Sequence, residues 1–281
     1  GRSDEYVHLA RRMGYAEAAE GELSPARRLR LDFETHTAFV RAFVERRLGR
    51  DAWSHPGREG RVQAGSVADL VLSERLSEEH GEQILSRAGF REPARALRNL
   101  RGIAAAAGEA GRLDFARLAV LAADLLGSQS DPDMALNNWE RFARGLPRPA
   151  EHLRLLAAQP RRLEILLAVF AGSQYLSDAL IRSPEVFEWA TGPAHLLRMR
   201  STEEMRRELD FAASDEDWRR ELRRNKNREL VRLGIRDICL GVSIEEIMAE
   251  LSSLAEAVIQ VELARCLRRL EGPAFPGEFC L

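Results

Sequence analysis

The stretch that decides the fold runs from Leu222 to Leu267 and reads LRRNKNRELVRLGIRDICLGVSIEEIMAELSSLAEAVIQVELARCL. Apolar residues recur in both halves at the spacing of one helix face. These residues are Val231, Ile235, Ile238, Ile247, Leu251, Leu254, Val258 and Val261. Gly241 interrupts the pattern, and Ser243 followed by Glu246 makes a capping box at the start of the second half. The stretch therefore predicts two helices joined by a short turn, which is a helical hairpin.

A row of arginines in steps of four lies on another face of the first predicted helix. Its members are Arg224, Arg228, Arg232 and Arg236. Like charges at this spacing destabilise a helix by roughly 0.2–0.5 kcal/mol per pair. Glu229 can reach Arg232 at i+3, but one acid cannot neutralise four cations. The row is therefore either an interface or a solvated helix face that pairs in part with neighbouring acids.

As an interface, the arginine row is predicted to meet carboxylates of another helix or of a following catalytic core. The acidic segment from Glu203 to Asp217 is the nearest supply. If the row is engaged, Arg232→Glu should destabilise this bundle, or its docking to the core, by more than the roughly 0.5 kcal/mol of a free surface site. The effect should weaken in high salt. A nucleic-acid ridge is the weakest interpretation, because acids balance the cations and no aromatic residues are interleaved.

The composition is that of a soluble globular protein. The chain has 281 residues, of which 45% are hydrophobic and 31% are charged. Its 42 basic and 44 acidic side chains leave a net charge of -2, so the whole-chain field attracts neither nucleic acid nor an anionic membrane. We therefore expect neither nucleic-acid nor membrane partners.

Cysteine usage and targeting signals predict a cytoplasmic location. Cys239, Cys266 and Cys280 are the three cysteines, and none stands in a C-x-x-C spacing, so reduced thiols are expected instead of disulfides or a zinc site. No apolar run approaches the roughly 18 residues of a membrane span, and no signal-peptide core is present at the N-terminus.

Helix-period patterning covers nearly all of the chain, and alternating β-branched runs do not occur outside the final residues. The sequence thus predicts an all-α fold of roughly ten or more helices in two bundles. Gly, Pro and Ser concentrate in residues 51–66, which we predict to be a linker. The full predicted division is a helical tail of a preceding domain at 1–50, the linker at 51–66, a helical connector at 67–130, a helical domain at 131–271, and the start of a following core at 272–281.

Two stretches resemble a known family. RELVRLGIRD at Arg228–Asp237 and LLAVFAGSQYLSDALIRSPEVFEW at Leu166–Trp189 are similar to the helices that precede a nucleotidyltransferase core in bacterial bifunctional glutamine synthetase adenylyltransferase/adenylyl-removing enzymes. The resemblance implies transfer of AMP from ATP to a tyrosine of glutamine synthetase, its removal by phosphorolysis, and control of nitrogen assimilation through a PII signalling protein. It also implies ATP and magnesium as cofactors of the full-length family.

The catalytic motif of that family is not found in the chain. Its nucleotidyltransferase core opens with a Gly-Lys-Leu-Gly-Gly turn after a strand, followed by Ser-Ser-Asp-x-Asp carboxylates, and neither run occurs here. Gly277–Leu281 resembles only the first residues of that strand, and the chain begins without Met, so we expect a fragment. Asp215 and Asp217 could hold a metal but fit a solvated helix start better. We thus predict no catalytic, cofactor-binding or metal residue, and an inactive chain when alone. The alternative is a non-enzymatic helical scaffold for protein interactions, although no fixed repeat supports a solenoid.

Overall fold

The structure of the protein is a computed structural model, and all secondary-structure elements in its described residues are helices. The described residues are 2–15, 64–72, 77–127, 129–209 and 215–270, with single positions between 25 and 40. Thirteen helices and no strand occur within them, which confirms the all-α prediction. None of these helices combines the length and the apolar character needed to cross a bilayer.

Contacts divide the chain into two compact units, residues 1–167 and 168–281. The predicted linker falls mostly outside the described residues, and its last three residues, 64–66, begin a helix. The predicted division into domains stays a prediction.

The first unit is organised around one long helix. Its helices are α1 (Arg2–Arg12), α2 (Ala64–Leu72), α3 (Glu78–Arg87), α4 (Pro93–Leu126), α5 (Pro132–Gly145) and α6 (Pro149–Ala158). α4 packs against α2, α3, α5 and α6. Proline stands at the first position of α4, α5 and α6, where its missing N–H costs no helical hydrogen bond.

Gly108 bends α4. Its φ of 61° and ψ of -172° lie outside the helical region, in a conformation that glycine adopts more easily than other residues. The Gly cluster from Gly102 to Gly111 predicts a turn between two helices, and the structure has a kink at Gly108 between the two helical segments of α4.

Aromatic side chains fill the centre of the first unit. Trp139 and Phe142 of α5 and Phe115 of α4 are fully buried. The rings of Phe115 and Trp139 meet edge to face with centroids 5.5 Å apart, an arrangement that aromatic pairs prefer.

His152 of α6 makes the first unit sensitive to acid. Its ring lies edge to face on Phe142 at 5.3 Å. Burial, and then the charge of Arg162, lower the pKa of His152 to about 4. The unfolded chain takes up this proton near pH 6.5 and the folded chain only near pH 4. Stability should therefore fall as the pH drops between these values, by about 3 kcal/mol in total.

The prediction for His152 is that His152→Leu removes this acid sensitivity. The measurement is hydrogen exchange of the α6 amides at pH 7 and pH 4, corrected for the intrinsic pH dependence of exchange. The exposed His80 of α3 supplies the control variant His80→Leu, which should keep the sensitivity. Equal acid sensitivity of all three proteins would contradict the assignment.

The second unit is organised around the predicted hairpin. After α7 (Pro160–Gly172), which spans the division between the units, come α8 (Gln174–Arg182), α9 (Glu185–Ala190), α10 (Pro193–Leu196), α11 (Thr202–Leu209), α12 (Asp215–Leu240) and α13 (Ile244–Leu270). Gly241 joins α12 to α13 with a φ of 62°. Ser243 Oγ accepts a hydrogen bond from the Glu246 N–H at 3.2 Å. The hairpin and its cap are thus confirmed.

The core of the hairpin continues into α11. Trp218 and Leu222 of α12 pack in one cluster with Met205 of α11 and with Leu254 and Val261 of α13. α12 also contacts α8, α9 and α10, so it is the central helix of the second unit.

Gly234 lets α8 approach α12 closely. A Cβ atom at this position would lie 2.3 Å from Cδ1 of the buried Leu176. Gly234→Ala should therefore destabilise the second unit by about 1–2 kcal/mol, because overpacking outweighs the helix propensity that alanine gains. Urea unfolding measures this change. Gly172→Ala is the control, since its Cβ would meet only Ile238 at an ordinary 3.6 Å, and equal effects of the two variants would refute the close contact.

Candidate functional site: a buried arginine and glutamate network

The arginine row of α12 faces two glutamates of α13. Arg232 and Arg236 are four residues apart, as are Glu246 and Glu250, so the hairpin places the two pairs opposite each other. Arg232 Nη2 lies 2.6 Å from Glu250 Oε1, and Arg236 Nε lies 2.9 Å from Glu250 Oε2. Arg236 also bonds to Glu246. The side chains of Arg232 and Glu250 are both 0% exposed.

A third arginine enters from the connection between α10 and α11. The guanidinium of Arg200 bonds to Glu229 of α12, and its backbone N–H donates to Glu250 Oε1 at 3.0 Å. Glu229 in turn accepts from Arg232 Nε at 2.8 Å. Two buried carboxylates therefore hold together α12, α13 and the segment that precedes α11.

The end of α10 is fixed by the same arginines. Arg236 Nη1 donates to the carbonyl of Leu196 at 2.7 Å, and Arg232 Nη1 donates to the carbonyl of His195 at 3.3 Å. The last carbonyls of a helix have no partner within it, and cations are stabilising there. The network thus satisfies polar groups that α10 cannot satisfy itself.

The outer side of the network contains two more ion pairs, both made by Glu208, and a stack of rings. Arg228 Nη2 lies 2.6 Å from Glu208 Oε2 of α11, and Arg200 also bonds to Glu208. The Arg228 guanidinium lies over the ring of Trp189 at 4.1 Å, within the range of a cation–π contact. Trp189 stacks on His195 with centroids 4.3 Å apart.

The charges of the network balance. We define the buried network as Arg200, Arg228, Arg232, Arg236, Glu208, Glu229, Glu246 and Glu250, which contains four cations and four anions. Its centre is buried, whereas Arg228, Glu246 and Glu208 lie at its edge and are partly exposed. Buried ions are tolerated when they are paired and hydrogen-bonded. Their geometry fixes how α12 sits on α13, because a shift of one turn would separate each arginine from its glutamate.

Burial and neighbouring charges set the protonation of the groups around Trp189. Burial lowers the pKa of Arg200, but the hydrogen bond to Glu208 and the charge of Glu229 outweigh it and raise that pKa above its usual value. Burial lowers the pKa of Arg228. Burial, and next the charge of Arg200, lower the pKa of His195. The two guanidinium groups thus stay charged beside a histidine that favours its neutral form.

The geometry of the network suits positioning and not proton transfer or nucleophilic attack. Each of its four carboxylates is engaged by at least one guanidinium, so none is available as a general base. In the part of the chain that the structure describes, no group of three or more His, Cys, Asp or Glu side chains could hold a metal ion. Asp217, one of the two carboxylates that the sequence analysis considers for a metal, instead pairs with Arg220 at 2.6 Å. The described residues therefore offer no carboxylate cluster for magnesium, and binding of ATP stays a prediction.

The structure separates the four residues of the predicted row. Arg232 and Arg236 are buried, and Arg228 is half-buried. Arg224 is exposed and pairs with Glu185 at 2.9 Å. Most of their carboxylates come from other helices, Glu229 lies on α12 itself, and the predicted acidic segment contributes Glu208. Whether the row also meets a partner protein stays a prediction.

The sequence-based reasoning missed Arg200 and Glu250. Glu250 carries a detectable signal, because it lies beside Ile247, Leu251 and Leu254 on the inner side of the second hairpin helix. An acid on an apolar face needs a buried cation. Arg200 carries no such signal, since it lies between helices where no periodicity applies.

Part of the second unit is similar to a known protein family. Residues 163–276 match the model of the family glutamate-ammonia ligase adenylyltransferase, and this range contains the whole buried network. Over that range the chain is similar to this family. The resemblance seen in the hairpin and in Leu166–Trp189 is thereby confirmed.

Curated relatives carry the name bifunctional glutamine synthetase adenylyltransferase/adenylyl-removing enzyme. The relative from Xanthobacter autotrophicus is 28% identical over 202 residues, which cover 69% of this chain and 20% of that protein. The relative from Nocardia farcinica is 29% identical over 213 residues, which cover 73% of this chain and 21% of that protein. The relative from Mycobacterium tuberculosis strain H37Rv is 27% identical over 205 residues, which cover 71% of this chain and 20% of that protein. The matched part is thus about a fifth of each relative. No solved structure matches the chain.

Proposed function

We propose that this chain is a helical scaffold within an enzyme that adenylylates and deadenylylates glutamine synthetase. The observation that carries the proposal is the family match over residues 163–276, which contains the buried network. A network of paired charges orients α12 and α13 and does no chemistry itself. We therefore assign it the task of holding a helical surface in place beside a catalytic core.

The proposal assigns catalysis to residues outside the helices described above. Transfer of an adenylyl group depends on metal ions and on groups that bind the phosphates, and the described residues offer no cluster of metal ligands. ATP and magnesium are accordingly proposed as cofactors of a catalytic core elsewhere in the enzyme. Glutamine synthetase as substrate, a PII protein as regulator and a cytoplasmic location belong to the same proposal.

Exchange of the matched segment between enzymes tests the family role. Residues 163–276 replace the aligned segment in the Mycobacterium tuberculosis enzyme, and transfer of labelled AMP to glutamine synthetase is measured. We expect transfer to persist, and to be lost when the inserted segment carries Arg232→Glu. A folded chimera without transfer would favour a non-enzymatic helical scaffold.

The chain alone tests the scaffold role. Incubated with glutamine synthetase, magnesium and labelled ATP, it should incorporate no label above the level seen without protein. Incorporation that persists after repurification of the chain would show a catalytic site within it.

A further inference from the structure

Three cations on α12 stand outside the buried network. Arg219, Arg223 and Lys226 lie at positions i, i+4 and i+7, which places them on one face of the helix. Arg219 and Arg223 are exposed, and Lys226 is half-buried. We call these three residues the open cation row.

The open cation row has no carboxylate partner in the described part of the chain, although five other cations of α12 do. Arg220 pairs with Asp217, and Arg224 pairs with Glu185. The remaining three belong to the buried network. Arg223 is the clearest case, because its neighbours at three and four residues are Arg219, Arg220, Lys226 and Asn227, none of them acidic.

The neighbouring helix adds positive charge to the same end of the hairpin. The Arg265 guanidinium of α13 lies 4.7 Å from the ring of Trp218, which places the C-terminal end of α13 beside the start of α12. Arg268 and Arg269 lie in the last turn of α13 and are exposed. Glu256, farther back on α13, is bonded to Thr202 and Gln260. Asp217, Glu221 and Glu262 offset part of this charge, and the open cation row itself favours an anionic partner.

Carboxylates of a protein fit this surface better than phosphates do. The row lies inside a helix, where backbone N–H groups bond within the helix and cannot bind a phosphate. Trp218, the aromatic residue of α12, is 2% exposed and cannot stack on a base. The chain carries a net charge of -2, which gives no general attraction to nucleic acid. Glutamates spaced by four residues on a helix would match the spacing of the row.

We propose that the open cation row docks an acidic helical segment of a partner protein, through Arg219, Arg223 and Lys226. Docking supplies the carboxylates that this face of α12 lacks and removes the repulsion between its like charges. The inference rests on charge and geometry and is independent of the proposed AMP transfer.

The test is titration of the whole chain with a fluorescent alanine-rich helical peptide of about 20 residues that carries Glu at every fourth position. The triple variant Arg219→Gln/Arg223→Gln/Lys226→Gln should weaken binding about tenfold. The matched control removes three exposed cations that already have partners, in the triple variant Arg95→Gln/Arg101→Gln/Arg144→Gln, and should change binding less than about twofold. Circular dichroism checks that both variants remain folded.

Three results would overturn the proposal. These are equal losses in the two triple variants, equal binding of a peptide with Gln in place of Glu, and no saturable binding to the unmodified chain. A DNA duplex of similar length that binds more tightly than the peptide would assign the row to nucleic acid instead. None of these outcomes depends on transfer of AMP, so the proposed enzyme function is tested separately.

Discussion

Arg232→Met is expected to destabilise the second unit by about 3–5 kcal/mol, the cost of removing one partner from a buried ion pair. The variant keeps the length of the side chain but leaves Glu250 without one of its guanidinium partners. It also removes the donor to the carbonyl of His195. Urea unfolding followed by circular dichroism measures the change in the free energy of unfolding.

The control is Arg220→Met on the same helix. Arg220 is 69% exposed in its pair with Asp217, so its loss should cost no more than about 1 kcal/mol. If the arginine row were exposed, the destabilisation caused by replacing Arg232 would weaken in high salt, as the sequence alone predicts. The complete burial of Arg232 changes this expectation, because ions screen buried pairs poorly. Small and equal effects of both variants would contradict the buried network.

Glu250→Leu is expected to cost a similar amount, about 3–5 kcal/mol. Glu250 joins three segments, since its carboxylate receives Arg232, Arg236 and the backbone N–H of Arg200. Leucine fills part of the space but removes the acceptor of the Arg232 guanidinium and of the Arg200 N–H, and the ion-pair partner of Arg236. An unsatisfied buried donor carries its full desolvation cost. The measurement is again urea unfolding.

Glu245→Leu provides the matched control for Glu250→Leu. Glu245 is exposed in the first turn of α13, so its replacement should change the stability by about 0.5 kcal/mol or less. Hydrogen exchange gives a second readout. The amides that follow Arg200 should exchange faster in Glu250→Leu, because their segment has lost the contact with α13. Unchanged exchange there would argue against this link.

Much of the second unit could be predicted from the sequence, because its information is local. The capping box at Ser243 and the break at Gly241 define the hairpin within a few residues. The step of four in the arginine row identifies a face that needs carboxylates. Both features depend on contacts within one helix or across one turn, which spacing in the sequence reveals directly.

The partners of the row could not be predicted, because they depend on contacts between distant residues. Arg200 and Glu250 are 50 residues apart, and only the packed helices bring them together. Arg219 and Arg223 lie on a different face of the same helix, and their spacing alone does not show that this face differs from the arginine row in its ion pairing. Spacing shows which residues share a helix face, but it does not show whether the cations on that face already have carboxylate partners.

The most direct test of the central claim, that the arginine row is an internal network that holds the hairpin together, is a double-mutant cycle of Arg232→Met and Glu250→Leu. If the two side chains form one buried pair, the double variant should be more stable than the sum of the single effects predicts, by at least about 2 kcal/mol. This coupling should be insensitive to salt. A coupling energy close to zero, or single effects no larger than those of Arg220→Met and Glu245→Leu, would contradict the account.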